Sequence, residues 1–336
     1  MNIKSLLLGS AAALAVVSGA QAADAIVAAE PEPMEYVRVC DAFGTGYFYI
    51  PGTETCLKIG GEVRFTVGFS EDETVDATGS DDWGTALRAR LAFETKSDSE
   101  IGTIGTYIRI QGDYIGNSVG SSADASQVWL EQGYITVGGF RAGKILTWLD
   151  DVGTASESDA FINEARFNTV TYAYTSDAFT VGLGLDDVSG YAPGGDVGVQ
   201  GFASAALGVA SLSFWGAYDF NSEEGLVVGK VAADIGPGTF ELYAGYASGA
   251  HVYADVAEWT VGAAYAFKAT EKLTITPSAN YWSDVDFVGG NDAWGVGLLG
   301  EYQLASGLKA SATVDYVEED VAGDSWSGFV RLTRSF

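Results

Sequence analysis

Residues 57–69 read LKIGGEVRFTVGF, and this stretch alternates between apolar and polar side chains. One set of alternate positions is apolar: Leu57, Ile59, Val63, Phe65, Val67 and Phe69. The positions between them include Lys58, Glu62, Arg64 and Thr66. Because successive side chains of a β-strand point to opposite faces, the stretch predicts a strand that separates an apolar from an aqueous environment.

The two-residue period recurs along the rest of the chain. Further alternating segments begin near Trp83, Phe179, Trp259 and Leu308, and no helical period persists between them. Seven short turns and eight longer polar loops separate the segments, which predicts sixteen strands within residues 57–336. Strands joined alternately by short turns and long loops are typical of an antiparallel β-barrel that crosses a membrane.

Two parts of this pattern are weak. The stretch 199–235 is rich in Gly and Ala, so the sequence leaves its strand boundaries open. Pro277 lies between Ile275 and Ala279 in an otherwise regular segment. A proline cannot donate a ladder hydrogen bond, and we therefore expect a bulge or a strand shift there.

The N-terminus has the features of an export signal. Lys4 precedes an apolar stretch over residues 6–17, and small residues then lead to Ala20-Gln21-Ala22. These features predict a cleaved signal peptide over residues 1–22. The mature chain would then start at Ala23.

Residues 23–56 form a separate N-terminal segment ahead of the predicted barrel. This segment contains the only two cysteines of the chain, Cys40 and Cys56. In an exported protein the compartment is oxidising, so the pair predicts a disulfide that closes a short loop. Zinc binding is not expected, because two thiolates do not complete a site and the single histidine, His251, is distant in sequence.

The charge balance is strongly acidic, with 17 Lys and Arg against 45 Asp and Glu. A nucleic-acid partner is therefore not expected, since the phosphate backbone attracts basic surface. A soluble β-sandwich is the alternative to a membrane barrel. Aromatic residues at segment ends favour the barrel, because they form girdles at the membrane interfaces. These residues are Trp83, Trp259, Trp294 and Trp326.

Three stretches carry a resemblance to a known family. They are VRVCDAFGTGYFYIPGTETCLKIGGEVRF from Val37 to Phe65, FRAGKILTWLDD from Phe140 to Asp151, and RFNTVTYAYTS from Arg166 to Ser176. The sequence resembles the porins of alphaproteobacteria, of the rhizobial and brucella type. The resemblance spans the whole mature chain, and the first stretch is its most specific part.

The resemblance implies an architecture, a location and partners. It implies a sixteen-stranded barrel in the bacterial outer membrane, a homotrimer, and a long third external loop that folds into the pore. Transport through such a pore is passive. The last strand, ending at Phe336, is similar to the terminal strand that the outer-membrane barrel assembly machinery reads. The expected surroundings are outer-membrane lipid and lipopolysaccharide.

Strand parity predicts a basic wall inside the pore. A basic residue on the lipid face at mid-membrane would cost about 2–4 kcal/mol, so the charged faces should line the lumen. The residues placed there by parity are Arg64, Arg88, Arg90 and Arg109. The resemblance adds Lys144 and Arg166. Strict alternation puts Arg166 on the face of Tyr172 and Tyr174, so a bulge at the root of the loop would be needed to turn it inward.

An acidic loop is predicted to face this wall. Its carboxylates are Asp150, Asp151, Glu157, Asp159 and Glu164. Facing rows of opposite charge would create a transverse field that orients dipolar solutes. The eight predicted external loops together hold 26 acidic residues and no Lys or Arg. This asymmetry predicts a mild preference for cations.

The sequence thus predicts a general diffusion pore for small hydrophilic solutes and ions. Two alternatives stay open: a substrate-specific, sugar-type channel, and a non-conducting barrel that acts as an adhesin. A sugar-type channel would need a ladder of aromatic residues in the lumen, and parity places few there: Tyr107, Tyr243 and Phe329. No catalytic constellation, cofactor motif or metal-ligand set is recognisable, so enzymatic activity is not expected.

Overall fold

A computed structural model of the chain describes residues 38–72, 83–116, 125–163, 166–191 and 196–336. The predicted signal peptide, residues 1–22, lies outside the described residues, as does Glu164 of the predicted acidic loop.

The described residues form seventeen β-strands. The strands are β1 (Phe48–Tyr49), β2 (Cys56–Asp72), β3 (Trp83–Ser97), β4 (Ile104–Gly116), β5 (Ala125–Val137), β6 (Phe140–Leu146), β7 (Arg166–Thr175), β8 (Phe179–Asp187), β9 (Val197–Leu207), β10 (Ala210–Asp219), β11 (Glu224–Ile235), β12 (Gly238–Ala247), β13 (Ala257–Lys268), β14 (Leu273–Val285), β15 (Ala293–Ala305), β16 (Leu308–Glu319) and β17 (Gly323–Ser335). Two short 3₁₀ helices span Asp41–Phe43 and Trp148–Asp151.

Strands β2 to β17 form a closed barrel. Each pairs antiparallel with the next, and β17 pairs with β2 through partners such as Val330 and Val67. Closure removes both sheet edges, which a membrane requires because lipid offers no hydrogen bonds to an open edge. The prediction of sixteen membrane-crossing strands is confirmed. No helix among the described residues is long and apolar enough to span a membrane.

The alternation of residues 57–69 becomes the two faces of the barrel wall. Phe65 pairs with Leu87, and both point outward with about two-fifths or more of their surface exposed. Arg64 pairs with Arg88 on the inward face. The four tryptophans at strand starts are also exposed on the outside: Trp83, Trp259, Trp294 and Trp326. They begin strands that start at the same end of the barrel, as an interfacial girdle requires.

The weakly patterned stretch 199–235 folds without irregularity. Strands β9, β10 and β11 pair in unbroken register from Asp219 and Gly198 to Ala210 and Leu207. The expectation of a bulge or strand shift at Pro277 is wrong. Pairing of β14 with β13 is interrupted there and resumes in the same register, because the missing N–H removes ladder bonds without adding a residue.

Residues 39–56 of the N-terminal segment are tied to the start of the barrel. Cys40 and Cys56 form a disulfide with Cα atoms 6.0 Å apart, which confirms the predicted pairing. Strand β1 pairs with the first residues of β2. The ring of Tyr47, 4% exposed, packs beside both cysteines, and the Nζ atoms of Lys58 and Lys96 lie 5.7 and 5.2 Å from its centre. The segment therefore lies against inward-facing residues at the end of the barrel where β2 begins.

We predict that reducing the disulfide leaves the barrel folded. A cross-link that closes a loop of this length stabilises by only about 3 kcal/mol, and the barrel ladder does not depend on it. The test is heat-modifiable mobility on electrophoresis, with and without reductant, for the wild type and for Cys40→Ser/Cys56→Ser. Unfolding of the reduced barrel at room temperature would contradict the prediction. Free-thiol labelling of denatured, unreduced protein should detect no cysteine.

Candidate functional site

The four arginines that parity predicted for the basic wall lie on the inward face of β2, β3 and β4. Arg64 pairs with Arg88, and Arg88 pairs with Asp113. The Nε atom of Arg88 donates to Oδ1 of Asp113 at 2.7 Å. Arg90 and Arg109 follow on the same face, nearer the end with the short turns. The fold thus gathers these side chains into one patch, which we call the arginine patch.

The arginine patch is organised around Glu131, whose side chain has no exposed surface. Glu131 is the extra residue of a β-bulge. Arg109 pairs with Gln132, the next residue Ile110 pairs with Leu130, and Glu131 between them has no partner on β4. The bulge turns two consecutive polar side chains of β5 toward the inward face, which strict alternation could not do.

Three guanidinium groups contact the Glu131 carboxylate. Nη2 of Arg109 donates to Oε1 at 2.8 Å, and Nε of the same residue contacts Oε2. The Nη2 atoms of Arg90 and Arg166 donate to Oε1 at 3.0 and 2.7 Å. Arg90 also lies 3.6 Å from the carboxylate of Glu62. These charge-assisted contacts offset the repulsion among the arginines.

Arg166 reaches the patch from an unusual position. It is the first residue of β7 and pairs with Leu146, the last residue of β6, while the next residue, Phe167, is 1% exposed on the inward side. Strand β6 is short and pairs with β5 only over residues 133–137. The Arg166 guanidinium therefore passes the end of β6 to reach Glu131. The bulge that allows this contact lies in β5, not at the root of the loop.

Lys144 occupies an outward-facing position of β6. It pairs with Gly133 and shares a side of β6 with the exposed ring of Phe140. Its Nζ donates to the backbone carbonyl of Leu130 at 3.2 Å and lies 5.5 Å from the centre of the Trp129 ring. The lysine thus satisfies a carbonyl on the part of β5 that β6 does not cover.

The connection between β6 and β7, residues 147–165, is called the third loop. It contacts strands β12, β14 and β17, of which β14 lies eight strands from β6 in the ring of sixteen. Its hydrogen bonds to β12 include Ala155 N to Glu241 Oε2 at 2.5 Å and Tyr243 OH to Asp159 O at 3.0 Å. Its hydrogen bonds to β14 include Ser158 Oγ with Ser278 Oγ at 3.0 Å, Asn280 Nδ2 to Ser158 O at 3.0 Å and Trp282 Nε1 to Ala160 O at 2.7 Å.

Glycines on β8 and β12 make room for aromatic side chains of the third loop. A Cβ atom added at Gly245 would lie 2.5 Å from the ring of Phe161, which is 1% exposed. A Cβ at Gly182 would lie 2.7 Å from the ring of Trp148. Real Cβ atoms essentially never come this close to another heavy atom, so a side chain at either position would force the aromatic ring of the loop to shift.

The predicted loop acids differ in their surroundings. Glu157 accepts a hydrogen bond at 3.1 Å from Nη1 of Arg331, an inward-facing residue of β17. Asp159 accepts from the backbone N–H and the hydroxyl of Thr154. Asp150 and Asp151 are exposed in the 3₁₀ helix at the start of the loop.

The single histidine lies in the connection between β12 and β13. His251 is 6% exposed, and its Nδ1 lies 2.8 Å from the carbonyl of Gly249. Burial lowers the pKa of His251, which keeps the ring neutral at neutral pH. Within the described ranges, no group of three or more His, Cys, Asp or Glu side chains is placed to hold a metal ion.

Glu131 and Arg331 are two inward-facing residues that sequence reasoning missed. For Glu131 a signal existed. Counting back from the inward-facing Tyr134, strict alternation assigns Glu131 to the lipid face, where a carboxylate is unfavourable. Such a conflict inside a strand indicates a bulge. For Arg331 the alternation itself was sufficient, since it lies one residue from the outward-facing Val330.

A closed sixteen-stranded barrel with an apolar outside and a charged inside defines a class: the β-barrel channels of bacterial outer membranes. Proteins that are similar in sequence belong to the same class. The sequence matches the porin subfamily over residues 24–329. Outer membrane protein IIIA of Rhizobium leguminosarum bv. viciae is 40% identical, covering 98% of this chain and 93% of its own length. Porin Omp2a of Brucella suis biovar 1 is 37% identical, with both chains covered completely.

The chain belongs to this porin subfamily, which confirms the resemblance found in the sequence. It is a multi-pass β-barrel of the bacterial outer membrane and a general diffusion channel. Among solved structures, the outer membrane channel DcaP of Acinetobacter baumannii is similar with a TM-score of 0.65 at 12% identity, covering 86% of this chain and 99% of that one. A mutant of the Rh. blastica porin is similar with a TM-score of 0.61 at 17% identity, covering 83% of this chain and 100% of that one. These two likenesses concern the fold alone.

We predict that Glu131→Gln lowers the free energy of unfolding by about 3 kcal/mol, because it removes the buried charge that three arginines share. The measurement is urea unfolding of the protein in lipid vesicles, followed by tryptophan fluorescence. The matched control is Glu301→Gln, which breaks a partly exposed ion pair with Lys309 and should cost at most about 1 kcal/mol. Equal losses in both variants would contradict a special role for Glu131.

Proposed function

We propose that the protein is a mildly cation-selective diffusion pore whose narrowest part lies between the arginine patch and the third loop. The observation that carries the proposal is the pairing of the arginines with carboxylates of the barrel wall itself. Glu131 contacts three of them, and Asp113 binds Arg88. The wall is therefore less positive than its count of arginines suggests, and the acidic external loops dominate the field along the path.

The contacts of the third loop support its insertion into the pore. Strand β14 lies on the side of the barrel opposite β6, so a loop that starts at β6 reaches Ser278, Asn280 and Trp282 most directly through the lumen. These three residues alternate along β14 and point inward. In this arrangement Glu157 and Arg331 lie at the narrowest part of the pore. The exposed Asp150 and Asp151 add negative charge at the root of the loop.

The site residues have separate roles in this proposal. Arg64, Arg88, Arg90 and Arg109 form the basic wall, and Arg166 holds Glu131 in place from the end of β6. Lys144 starts from an outward-facing position of β6, and its Nζ binds the Leu130 carbonyl of β5 beside the inward-facing ring of Trp129. The transverse field between the wall and the loop orients dipolar solutes. It disfavours apolar solutes, because they displace water from the charged groups and make no polar contacts to replace it.

The partners follow from the outer surface. We propose a homotrimer embedded in outer-membrane lipid, with the acidic loops close to lipopolysaccharide, where divalent cations could bridge carboxylate and phosphate oxygens. Phe336, 62% exposed on the outside of the last strand, is the proposed signal for the barrel assembly machinery. The predicted signal peptide would direct export before this step.

We predict that Ser158→Cys/Ser278→Cys forms a disulfide spontaneously and leaves the barrel conducting. The two hydroxyl oxygens lie 3.0 Å apart, so cysteines at these positions can bond if the third loop lies in the pore. The control pair is Ser158→Cys/Ser213→Cys, which joins the same loop residue to a different strand. Mass spectrometry of peptides from the unreduced protein identifies the cross-link. Free thiols in the first pair, or equal cross-linking in both, would contradict the inserted loop.

We predict that Arg88→Ala/Arg90→Ala raises the ratio of potassium to chloride permeability by roughly twofold, because carboxylates of the wall lose their partners. The measurement is the zero-current potential across a potassium chloride gradient in planar bilayers. The wild type itself should prefer cations, most strongly in dilute salt, where screening is weakest. The control is Arg334→Ala, which removes a cation from the outer face. An anion-selective wild type would overturn the proposed selectivity.

A further inference from the structure

A cleft opens between the arginine patch and the end of the barrel with the short turns, and it is lined by β3 to β7. Its volume is about 620 Å³. The side chains that give it chemical character are Glu94, Lys96, Tyr107, Tyr134, Thr136 and Arg141. The register places these residues on one face, because Glu94 pairs with Tyr107, Tyr107 with Tyr134, and Thr136 with Arg141.

Aromatic rings and a guanidinium group form a continuous row in this cleft. The rings of Tyr107 and Tyr134 are stacked with centres 5.2 Å apart. The guanidinium carbon of Arg141 lies 5.9 Å from the centre of the Tyr134 ring and 5.4 Å from that of Trp148 at the root of the third loop. Further rings, of Phe202 and Trp215, continue the row beneath the loop. The lumen therefore contains more aromatic surface than strand parity predicted.

Arg141 differs from the arginines of the patch in its partners. Its Nε donates to the hydroxyl of Thr171 at 3.3 Å, and its other contacts are the two rings. Among the described residues no carboxylate forms an ion pair with it. Lys96, by contrast, is paired with Glu94 at 2.9 Å. The cleft thus holds one positive charge beside aromatic faces that no carboxylate of the wall neutralises.

We propose that this cleft is a binding site for small carboxylates that carry a ring. A half-buried guanidinium binds a carboxylate with two parallel hydrogen bonds, and a stacked tyrosine pair offers a flat surface to the ring. Lys96 and the hydroxyl of Thr136 border the same space and can donate further hydrogen bonds. An organic anion that has passed the arginine patch, or that enters from the short-turn end, meets this site before it leaves the pore.

The inference rests on the proposed conducting pore, and it makes that pore weakly selective among anions. The cation preference of the mouth and the anion site do not conflict, because they lie at opposite ends of the path. External loops set how often an ion enters, whereas the cleft sets how long one class of solute stays. Retention of this kind appears as a reduced salt current at millimolar solute.

The test uses the full-length protein in planar bilayers, with three probes at neutral pH. Benzoate carries the ring and the charge, acetate only the charge, and benzyl alcohol only the ring. We expect benzoate to reduce the potassium chloride current at concentrations where the other two have no effect. Addition to the two sides in turn should give stronger block from the side to which the short turns point.

Two variants locate the block. Arg141→Gln should raise the half-blocking concentration of benzoate about tenfold, because it removes the charge-assisted pair. Tyr134→Leu should raise the half-blocking concentration about threefold to tenfold, because it removes the stacking surface. Tyr134→Phe keeps the ring and should give the wild-type value. The matched control is Lys309→Gln, which removes an inward-facing cation of β16, three strands from β3 and outside the lining of the cleft. An unchanged salt conductance confirms assembly of each variant.

The outcomes separate the inference from the proposed function. Benzoate block that is weakened by Arg141→Gln and by Tyr134→Leu, but not by Lys309→Gln, supports the site. Equal block by benzoate and acetate, or block that both variants leave unchanged, overturns it while the salt current still supports a pore. Absence of any salt current from assembled wild-type protein would overturn the proposed pore itself.

Discussion

The structure depends on the requirement that every backbone N–H and C=O in the membrane finds a partner within the barrel. Closure of β17 on β2 meets this requirement around the ring. Its weakest place is β5, because β6 covers only residues 133–137 of that strand. Side chains take over there: Lys144 donates to the carbonyl of Leu130, and Gln132 accepts from the backbone N–H of Leu146. The short β6 thus frees chain for the third loop without leaving this part of the wall open.

The β-bulge at Glu131 determines how the charged side chains of the lumen are arranged. A simple picture of acidic and basic rows facing each other across a pore places each sign on its own wall. Here a carboxylate of the wall is buried among three arginines, and the loop acid Glu157 binds a different arginine, Arg331. Arg331 pairs with Thr66 of β2, beside the arginine patch, so opposite charges are interleaved along this part of the wall. Such interleaving fixes several of these side chains in position, since directed hydrogen bonds to carboxylates hold Arg88, Arg90, Arg109, Arg166 and Arg331.

Most of the fold could be predicted from the sequence, because a residue's face in a strand depends on parity alone. The alternation of residues 57–69 predicted the orientation of Arg64, and the count of connections predicted sixteen strands. Parity failed where the chain departs from a two-residue period. It could not place Glu131, whose bulge shows only as a charge on the wrong face, and it placed Arg166 outward without foreseeing how its side chain returns. The contacts of the third loop join residues far apart in sequence, so no local pattern contains them.

The glycines beneath the third loop have a consequence for how such a channel can change. Phe161 rests on the bare backbone at Gly245, and Trp148 rests on that at Gly182. In the proposed pore, the diameter therefore depends partly on two positions that have no side chain. A methyl group at either glycine would push the aromatic ring, and with it this part of the loop, away from the barrel wall. In such a pore, permeability could evolve through substitutions on β8 and β12, while the loop sequence and its charges stay the same.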